Sequence, residues 1–271
     1  MSRLSDAKPS HERIILASVE SRRAARTFLY VLFALFVIST AFTKFNPIDA
    51  LLAQGEFWNF IFTDFIPPRI QRLGALFTAV KQTLYMAIGA TGVSAVLSLI
   101  LGFLGTPAIC RFRLVGALVR GFASLLRNIP VLVWAFILVA AFGIGTAVGV
   151  VSLVISTVGE LTRYFIETLD EIAGENIEAL EATGAGMLPV ITQAIVPAAM
   201  PSFIAWFLYC LELNIRASTI LGMVGAGGIG LLMTGYIKQY NYGAASTAII
   251  AVAAIIIGAN LLTDYLRRVI L

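Results

Sequence analysis

Two long segments without a charged residue constrain this chain more than any other feature. Lys81 is followed by 29 uncharged residues up to Arg111, and Arg127 is followed by 32 up to Glu160. The chain is 59% hydrophobic and 13% charged, against roughly 25% charged residues in an ordinary soluble domain. Uncharged apolar segments of about 20 residues match the thickness of a bilayer core. We therefore predict an all-α polytopic membrane protein.

Six transmembrane helices account for the apolar segments. The 32 uncharged residues after Arg127 are too long for one crossing and too short for two at about 1.5 Å per residue. The third and fourth helices must therefore extend into charged flanks, with a short turn near Gly143 and Gly145 between them. The predicted spans cover residues 27–43, 82–106, 115–142, 146–169, 198–213 and 246–266.

The distribution of cations predicts the orientation in the membrane. With six spans both termini share a side, and thirteen of the nineteen Lys and Arg residues lie there. The positive-inside bias makes that side the cytoplasm. We expect residues 1–26 to form a cytoplasmic tail, with an amphipathic helix over 9–26, and residues 27–271 to form one membrane domain. The aromatic stretch over 44–80 is expected to lie along the outer interface.

Metal, cofactor and acid–base chemistry have few candidate residues. His11 is the only histidine, and no carboxylates cluster in an apolar segment. Two cysteines alone make no metal site. The phosphate-binding sequence G-x-x-x-x-G-K-[ST] is missing, so ATP and Mg²⁺ must be bound by another chain. We expect no catalytic residue, metal, cofactor or nucleic acid on this chain.

A glycine-rich segment, VGAGGIG at 224–230, has the G-x-G-x-x-G spacing of a dinucleotide-binding turn. That fingerprint needs a strand before it and an acid about 20 residues after it, but no acid follows until Asp264. Six glycines within 217–237 also weaken a straight helix by about 1 kcal/mol each. We predict irregular or re-entrant backbone on the periplasmic side. Four glycines are expected to pack beside the pore and to contribute to an outer gate: Gly225, Gly227, Gly228 and Gly230.

An acidic amphipathic helix is predicted in the inner loop between the fourth and fifth spans, over about residues 174–188. Its apolar positions recur at helical spacing opposite Glu175, Glu178 and Glu181. Helices that lie on lipid usually carry Lys and Arg toward anionic headgroups. The acidic face therefore suits a basic protein groove better than a membrane.

This loop resembles the EAA loop of ABC importer membrane subunits, usually written E-A-A-x3-G-x9-I-x-L-P. Four residues stand at the expected spacing: Glu178, Ala179, Gly184 and Pro197. Three positions carry other residues: Leu180, Ala194 and Val196. The resemblance implies a coupling helix that seats in a groove of an ATPase subunit. The residues it assigns to this contact are Glu178, Ala179, Leu180, Gly184, Ala185, Met187 and Pro197.

Two further segments, RNIPVLVWAFILVAAFGIG at 127–145 and ELNIRASTILGMVGAGGIG at 212–230, resemble permeases of phosphonate-type uptake systems. The likeness spans about residues 80–266, and methionine-type permeases have similar glycine-rich segments. It implies an ABC importer type I permease fold and a place in the inner membrane of a bacterial cell. It also implies four kinds of partner: a second copy of the chain, two ATP-binding cassette subunits, a periplasmic substrate-binding protein and the lipid bilayer.

Two arginines at or near membrane depth, Arg127 and Arg216, are candidates for an anion path. A guanidinium group donates in a planar fork that suits tetrahedral oxyanions. The structural alternative is that Arg216 pairs with Glu212 one helical turn earlier and that Arg127 reaches the inner surface. Glu160 and Arg163 are expected to form a structural pair. The candidate path residues are Arg127, Asn128, Pro130, Glu212, Arg216, Ser218 and Thr219.

These observations predict a permease subunit and not an enzyme. It would form the translocation path of an ATP-driven importer for phosphonate, phosphite or related phosphorus oxyanions, and would work by alternating access. A permease for methionine or another small solute is the alternative within the same class. A stand-alone secondary transporter or channel is the alternative from another class.

Overall fold

The computed structural model describes residues 19–70, 73–110, 112–181 and 186–270. Within these ranges every regular element is helical, which confirms the all-α prediction. The chain divides into two compact units, Met1–Asn59 and Phe60–Leu271. The predicted division between a tail and a membrane domain at residue 26 stays a prediction, since residues 1–18 lie outside the described ranges.

The first unit is built around one long apolar helix. The helices that begin in this unit are α1 (Val19–Thr43), α2 (Pro47–Leu52) and α3 (Gln54–Phe60). The predicted first span lies within α1, and none of the apolar window of α1 is buried. A helix that is apolar on every side and exposed in this way suits lipid. Asn46 caps α2, because its Oδ1 accepts from the Ile48 N–H at 3.0 Å.

The second unit is a bundle of long helices joined by short ones. The long helices are α4 (Leu73–Gly105), α7 (Thr146–Glu181), α9 (Val196–Leu221) and α11 (Tyr242–Ile270). The short helices are α5 (Arg113–Asn128), α6 (Val131–Phe142), α8 (Met187–Val190) and α10 (Gly228–Lys238). In the described part of the chain five helices are long and apolar enough to cross a membrane, or six if α5 and α6 are one bent span. The six predicted spans agree with the higher number.

The span predicted over 115–142 is not one continuous helix. It is two helices, α5 and α6, whose axes differ by 84°. Pro130 explains the break, because a residue before proline is driven out of helical backbone geometry. Ile129 is accordingly extended, with φ −94° and ψ 119°.

The fourth span is longer than predicted and continues into the predicted coupling helix over about 174–188, whose coupling role stays a prediction. Helix α7 runs without a break to Glu181, whereas the sequence predicted that the fourth span would end at Leu169. Glu, Ala and Leu, which favour helix, dominate residues 175–181, and only Gly174 opposes it, by about 1 kcal/mol. Residues 182–185 lie outside the described ranges, and helix resumes at Met187.

Helices α4 and α7 pack closely because small residues face each other. The packing stripe of α4 includes Ala87, Ala90, Thr91, Ser94 and Ser98, all of them buried. Two of these residues donate across the contact, Ser94 Oγ to Val154 O at 3.4 Å and Ser98 Oγ to Val158 O at 3.3 Å. Small hydroxyl-bearing residues let helix backbones approach in a membrane protein.

As predicted, the glycine-rich segment does not form a straight helix. Helix α9 ends at Leu221, and α10 begins at Gly228 after a distorted turn. Gly225 has φ +109° and Gly227 has φ +85°, values that residues with a Cβ rarely adopt. With 11 residues, α10 is too short to cross a bilayer.

Candidate functional site

The break between α5 and α6 brings Arg127 against the middle of α7. Helices α5 and α7 cross at Gly159, where a Cβ would lie 2.8 Å from Arg127 N and 2.9 Å from Ala123 O. Gly159 lies near the middle of Thr146–Gly174, the part of α7 that is apolar enough to span a membrane. The absence of a side chain at Gly159 therefore allows the backbone of Arg127 to lie against the middle of this apolar segment.

The surroundings of Arg127 are polar. Arg127 and Asn128 are exposed in the single chain, and the Asn128 amide donates to Ser124 Oγ at 3.4 Å. Glu160 follows the crossing residue on α7, is half-buried, and interacts electrostatically with Arg127. The expected pair of Glu160 with Arg163 is wrong, because Arg163 Nε donates to Glu167 Oε1 instead. Pro130 ends this polar turn and redirects the chain into α6.

The second arginine of the predicted path, Arg216, is paired. Its Nη2 donates to Glu212 Oε1 at 3.0 Å, one turn back along α9. The Arg216 side chain is 47% exposed and that of Glu212 is 22% exposed. With its amide oriented to donate, Asn260 on α11 lies 3.2 Å from the same carboxylate oxygen. The ion pair that the sequence offered as the structural alternative is therefore present, while nearly half of the Arg216 side chain stays exposed.

Ser218 and Thr219 do not lie beside the exposed guanidinium of Arg216. Both side chains are buried, and both hydroxyls donate to Ile215 O, at 2.8 and 3.4 Å. Such bonds to the preceding helical turn satisfy a hydroxyl inside an apolar helix.

A buried polar cluster was missed by the sequence reasoning. The Asn214 amide donates to Thr91 Oγ1 at 2.9 Å, and its Oδ1 accepts from Thr157 Oγ1 at 3.0 Å. All three side chains are buried, and they come from α9, α4 and α7. An asparagine in an apolar helix is itself the signal that could have found this cluster, because polar groups at membrane depth seek partners.

The glycine-rich segment joins three parts of the bundle through its backbone. Gly145 N donates to Gly225 O at 3.0 Å, which ties the segment to the turn before α7. Ile229 N donates to Thr83 Oγ1 at 2.9 Å, which ties the start of α10 to α4. A Cβ on Gly230 would lie 2.9 Å from the Gly222 Cα. Close backbone approach is therefore the structural reason for these glycines, while the gate itself stays a prediction.

Two residues of the predicted coupling contact lie outside the described ranges, and three others are described only as backbone. Gly184 and Ala185 fall outside the described ranges, and residues 178–180 are described as helical backbone of α7. Met187 begins α8 and is half-buried, and Pro197 lies in the first turn of α9. The coupling role of these residues stays a prediction.

Comparison with known proteins gives consistent matches. Residues 94–271 match the family described as binding-protein-dependent transport system inner membrane component. The phosphate-import permease protein PhnE of Mycolicibacterium smegmatis is 32% identical over 208 residues, which cover 76% of this chain and 39% of that protein. The phosphite transport system permease protein PtxC of Stutzerimonas stutzeri is 30% identical over 203 residues, covering 75% and 74%. The chain thus spans well under half the length of the first of these relatives.

Among solved structures, the MetNI methionine ABC transporter in an inward-facing conformation has a chain of the same fold. The TM-score is 0.66 and the identity 22%, over 74% of this chain and 100% of the other. The type I permease fold implied by the sequence resemblance is therefore present.

Proposed function

We propose that this chain, which belongs to the family of binding-protein-dependent transport system inner membrane components, forms the translocation path of an ATP-driven importer for phosphorus oxyanions. A member of this family is a multi-pass inner membrane subunit that works with ATP-binding subunits and a binding protein.

The position of Arg127 carries the proposal. Its backbone contacts Gly159 in the middle of a membrane-spanning helix, beside the 84° break between α5 and α6. A cation at membrane depth is costly unless it faces water or a partner, and it often marks an ion pathway. A guanidinium group also matches the geometry of a tetrahedral oxyanion. Relatives named for phosphate and phosphite import support the same substrate class.

The long helix α7 supplies a mechanical link for alternating access. Its inner end holds residues 178–181, at the predicted contact with the ATPase subunit. Its outer end follows Gly145, which is bonded to Gly225 in the glycine-rich segment. ATP binding would draw the ATPase subunits together, and a rigid helix would transmit that movement to the outer segment. The path would then open to one side at a time.

The assembly that we propose is a homodimer of this chain with two ATP-binding cassette subunits on the cytoplasmic side. ATP and Mg²⁺ bind to those subunits, and this chain holds neither metal nor cofactor. A periplasmic binding protein delivers the solute to the outer face. Both termini are cytoplasmic, which places the thirteen cations counted above on the inner side.

The test is solute-stimulated ATP hydrolysis and uptake by the reconstituted complex, comparing phosphonate, phosphite, phosphate and methionine. We expect the phosphorus oxyanions to stimulate both activities. Arg127→Ala should lower oxyanion uptake at least roughly tenfold, because a charge-assisted hydrogen bond contributes about 1.5–3 kcal/mol, and Arg127→Lys should retain part of it.

Arg163→Ala is the matched control, since Arg163 is paired with Glu167 on the exposed side of α7. Stimulation by methionine alone would favour the alternative solute. Uptake driven by a proton gradient without the ATPase would instead identify a secondary transporter.

A further inference from the structure

A cavity of about 470 Å³ lies where α4 ends and α5 begins, in the second unit. Two arginine side chains, Arg113 and Arg120, line it directly, and none of the described residues in its lining is acidic. The sequence also holds no acid between Asp64 and Glu160, so the neighbours along the chain cannot neutralise these cations. A concave site with two cationic walls favours an anion.

Most of the hydrogen-bonding capacity of the two arginines is unused within the chain. Arg120 Nη1 donates to Gly105 O at 2.6 Å, which holds its guanidinium group beside the end of α4. Arg113 is exposed, and in the described part of the chain its side chain makes no hydrogen bond or ion pair. Asp170 on α7 interacts electrostatically with Arg120 but does not line the cavity. Since each guanidinium group has five N–H donors, most of them remain for a ligand.

The first turn of α5 adds to the positive potential. Phe112, Arg113 and Gly116 belong to this turn or precede it, and all three line the cavity. No side chain caps the start of α5. The N-terminal end of a helix carries a partial positive charge and N–H groups without helical partners. The field of the helix therefore has the same sign as that of the two guanidinium groups.

The cavity lies where an apolar segment ends. Helix α4 is long and apolar enough to cross a membrane, and it ends at Gly105. No charged residue follows Lys81 until Arg111, which is next to the start of α5. The end of an uncharged span is the level at which the polar headgroups of a bilayer begin. In the predicted orientation these are the headgroups of the inner leaflet.

An exposed apolar stripe runs along α5 on another side from the arginines. Its four members recur at helical spacing and are 51–73% exposed: Leu114, Leu118, Phe122 and Leu125. The arginines of α5 recur at every seventh position, which places them along one side of the helix: Arg113, Arg120 and Arg127. A helix with arginines on one side and Leu and Phe on another is typical of contact with an anionic membrane surface. Basic pockets between membrane helices also bind phospholipid headgroups.

We propose that this cavity binds the phosphate group of an anionic phospholipid such as phosphatidylglycerol. The phosphate oxygens accept from the guanidinium groups of Arg113 and Arg120, and the acyl chains lie along the exposed stripe of α5. Free inorganic phosphate offers the same oxygens but has no acyl chain to cover that stripe, which favours the lipid. The site goes beyond the proposed function, because it does not depend on the solute that the importer carries.

The first experiment measures lipid binding to the assembled transporter in detergent. Phosphatidylglycerol or phosphatidylcholine is added, and the bound lipid is counted by native mass spectrometry. We expect phosphatidylglycerol to bind more tightly. Arg113→Gln should weaken its binding at least roughly tenfold, as expected for one lost charge-assisted hydrogen bond, and Arg113→Lys should retain part of it. Because Arg113 is exposed and has no partner in the described chain, its replacement should not disturb folding.

Arg268→Gln is the matched control. Arg268 is exposed at the end of α11, on the same predicted side of the membrane, and it does not line the cavity. This variant removes the same charge and should bind phosphatidylglycerol as the wild type does. An equal loss in Arg113→Gln and Arg268→Gln would show only a general attraction of cations to anionic lipid, and the site would be wrong.

The second experiment uses Cys110 as a reporter in the wild-type chain. Cys110 lines the cavity and is partly exposed, whereas Cys210 is 1% exposed and serves as the internal reference. The complex is placed in nanodiscs of phosphatidylcholine alone or mixed with phosphatidylglycerol, and the rate of reaction with N-ethylmaleimide is followed. We expect phosphatidylglycerol to slow the modification of Cys110 severalfold, and Arg113→Gln to abolish this protection.

A third sample, with inorganic phosphate added to the phosphatidylcholine nanodiscs, separates the two sources of a phosphate group. Protection of Cys110 by inorganic phosphate but not by phosphatidylglycerol would assign the cavity to a free oxyanion and overturn the lipid site. Protection by neither would overturn it as well. Because none of these measurements involves uptake, failure of the proposed function leaves their outcome unaffected.

Discussion

The side-chain amide of Asn214 donates to Thr91 Oγ1 at 2.9 Å and so joins α9 to α4 inside the second unit. Its oxygen accepts from Thr157 on α7 at 3.0 Å, and one residue thus links three membrane-spanning helices. Hydrogen bonds of this kind fix which faces of the helices meet, because lipid offers the polar groups no alternative partner.

Asn214→Leu should therefore loosen the bundle. It removes both interhelical hydrogen bonds and leaves the buried Thr157 hydroxyl without its acceptor. Pairs in membrane proteins contribute about 0.6 kcal/mol on average and at most about 1.7. We expect the free energy of unfolding in detergent to fall by about 1–3 kcal/mol, measured by chemical denaturation. Thr192→Ala, at an exposed hydroxyl that bonds only within its own helical turn, should change it little.

Gly159→Val should displace α5 from α7. A Cβ at Gly159 would lie 2.8 Å from Arg127 N and 2.9 Å from Ala123 O, and backbone atoms cannot yield as a flexible side chain can. Overpacking of this kind costs about 1–3 kcal/mol. Uptake should be lost together with a lowered melting temperature. Gly89→Val on α4 is the control, because its Cβ would have open space around it, and it should retain uptake. An equal loss of uptake in both variants would contradict a specific role for the crossing of α5 and α7 at Gly159.

Gly225→Ala should strain the glycine-rich segment. Its φ of +109° lies where residues with a Cβ are disfavoured, and the added carbon would lie 3.1 Å from Ile144 Cγ1. We expect a loss of about 1–3 kcal/mol in the free energy of unfolding. Gly143→Ala is an informative comparison, because Gly143 has φ +82° but nothing within 4 Å of its Cβ. If Gly143→Ala lowers the free energy of unfolding as much as Gly225→Ala does, the effect comes from backbone strain alone and not from packing against Ile144.

Gly184→Leu should abolish uptake while leaving the protein in the membrane. The physical reason is the predicted tight turn of the chain against the ATPase subunit, which a bulky side chain would prevent. Membrane fractions, uptake and co-purification with the ATPase subunit are measured together. Gly258→Leu on α11 is the control, because an added Cβ there meets nothing within 4 Å and the residue lies outside the predicted coupling helix. Normal transport by Gly184→Leu would refute the coupling role.

The features that the sequence predicted correctly depend on residues that are contiguous in the chain. Apolar segments predicted the spans and the turn at Gly143 to Gly145, and the glycine content predicted the absence of a straight helix over 217–237, because each is a property of contiguous residues. The α5–α6 break at Pro130 follows from a local rule that the sequence analysis did not apply. The extension of α7 to Glu181 was missed because amphipathic periodicity cannot show whether a helix is separate from the preceding one.

The sequence by itself determined that this chain is a helical membrane protein of the importer class. Lipid cannot hydrogen bond to a backbone, so uncharged apolar segments of sufficient length must become helices. Only the tertiary structure decided which distant residues meet: Arg127 lies against Gly159, and Asn214 reaches Thr91 and Thr157. These relations depend on helix depth and rotation, which arise from packing between segments far apart in the chain.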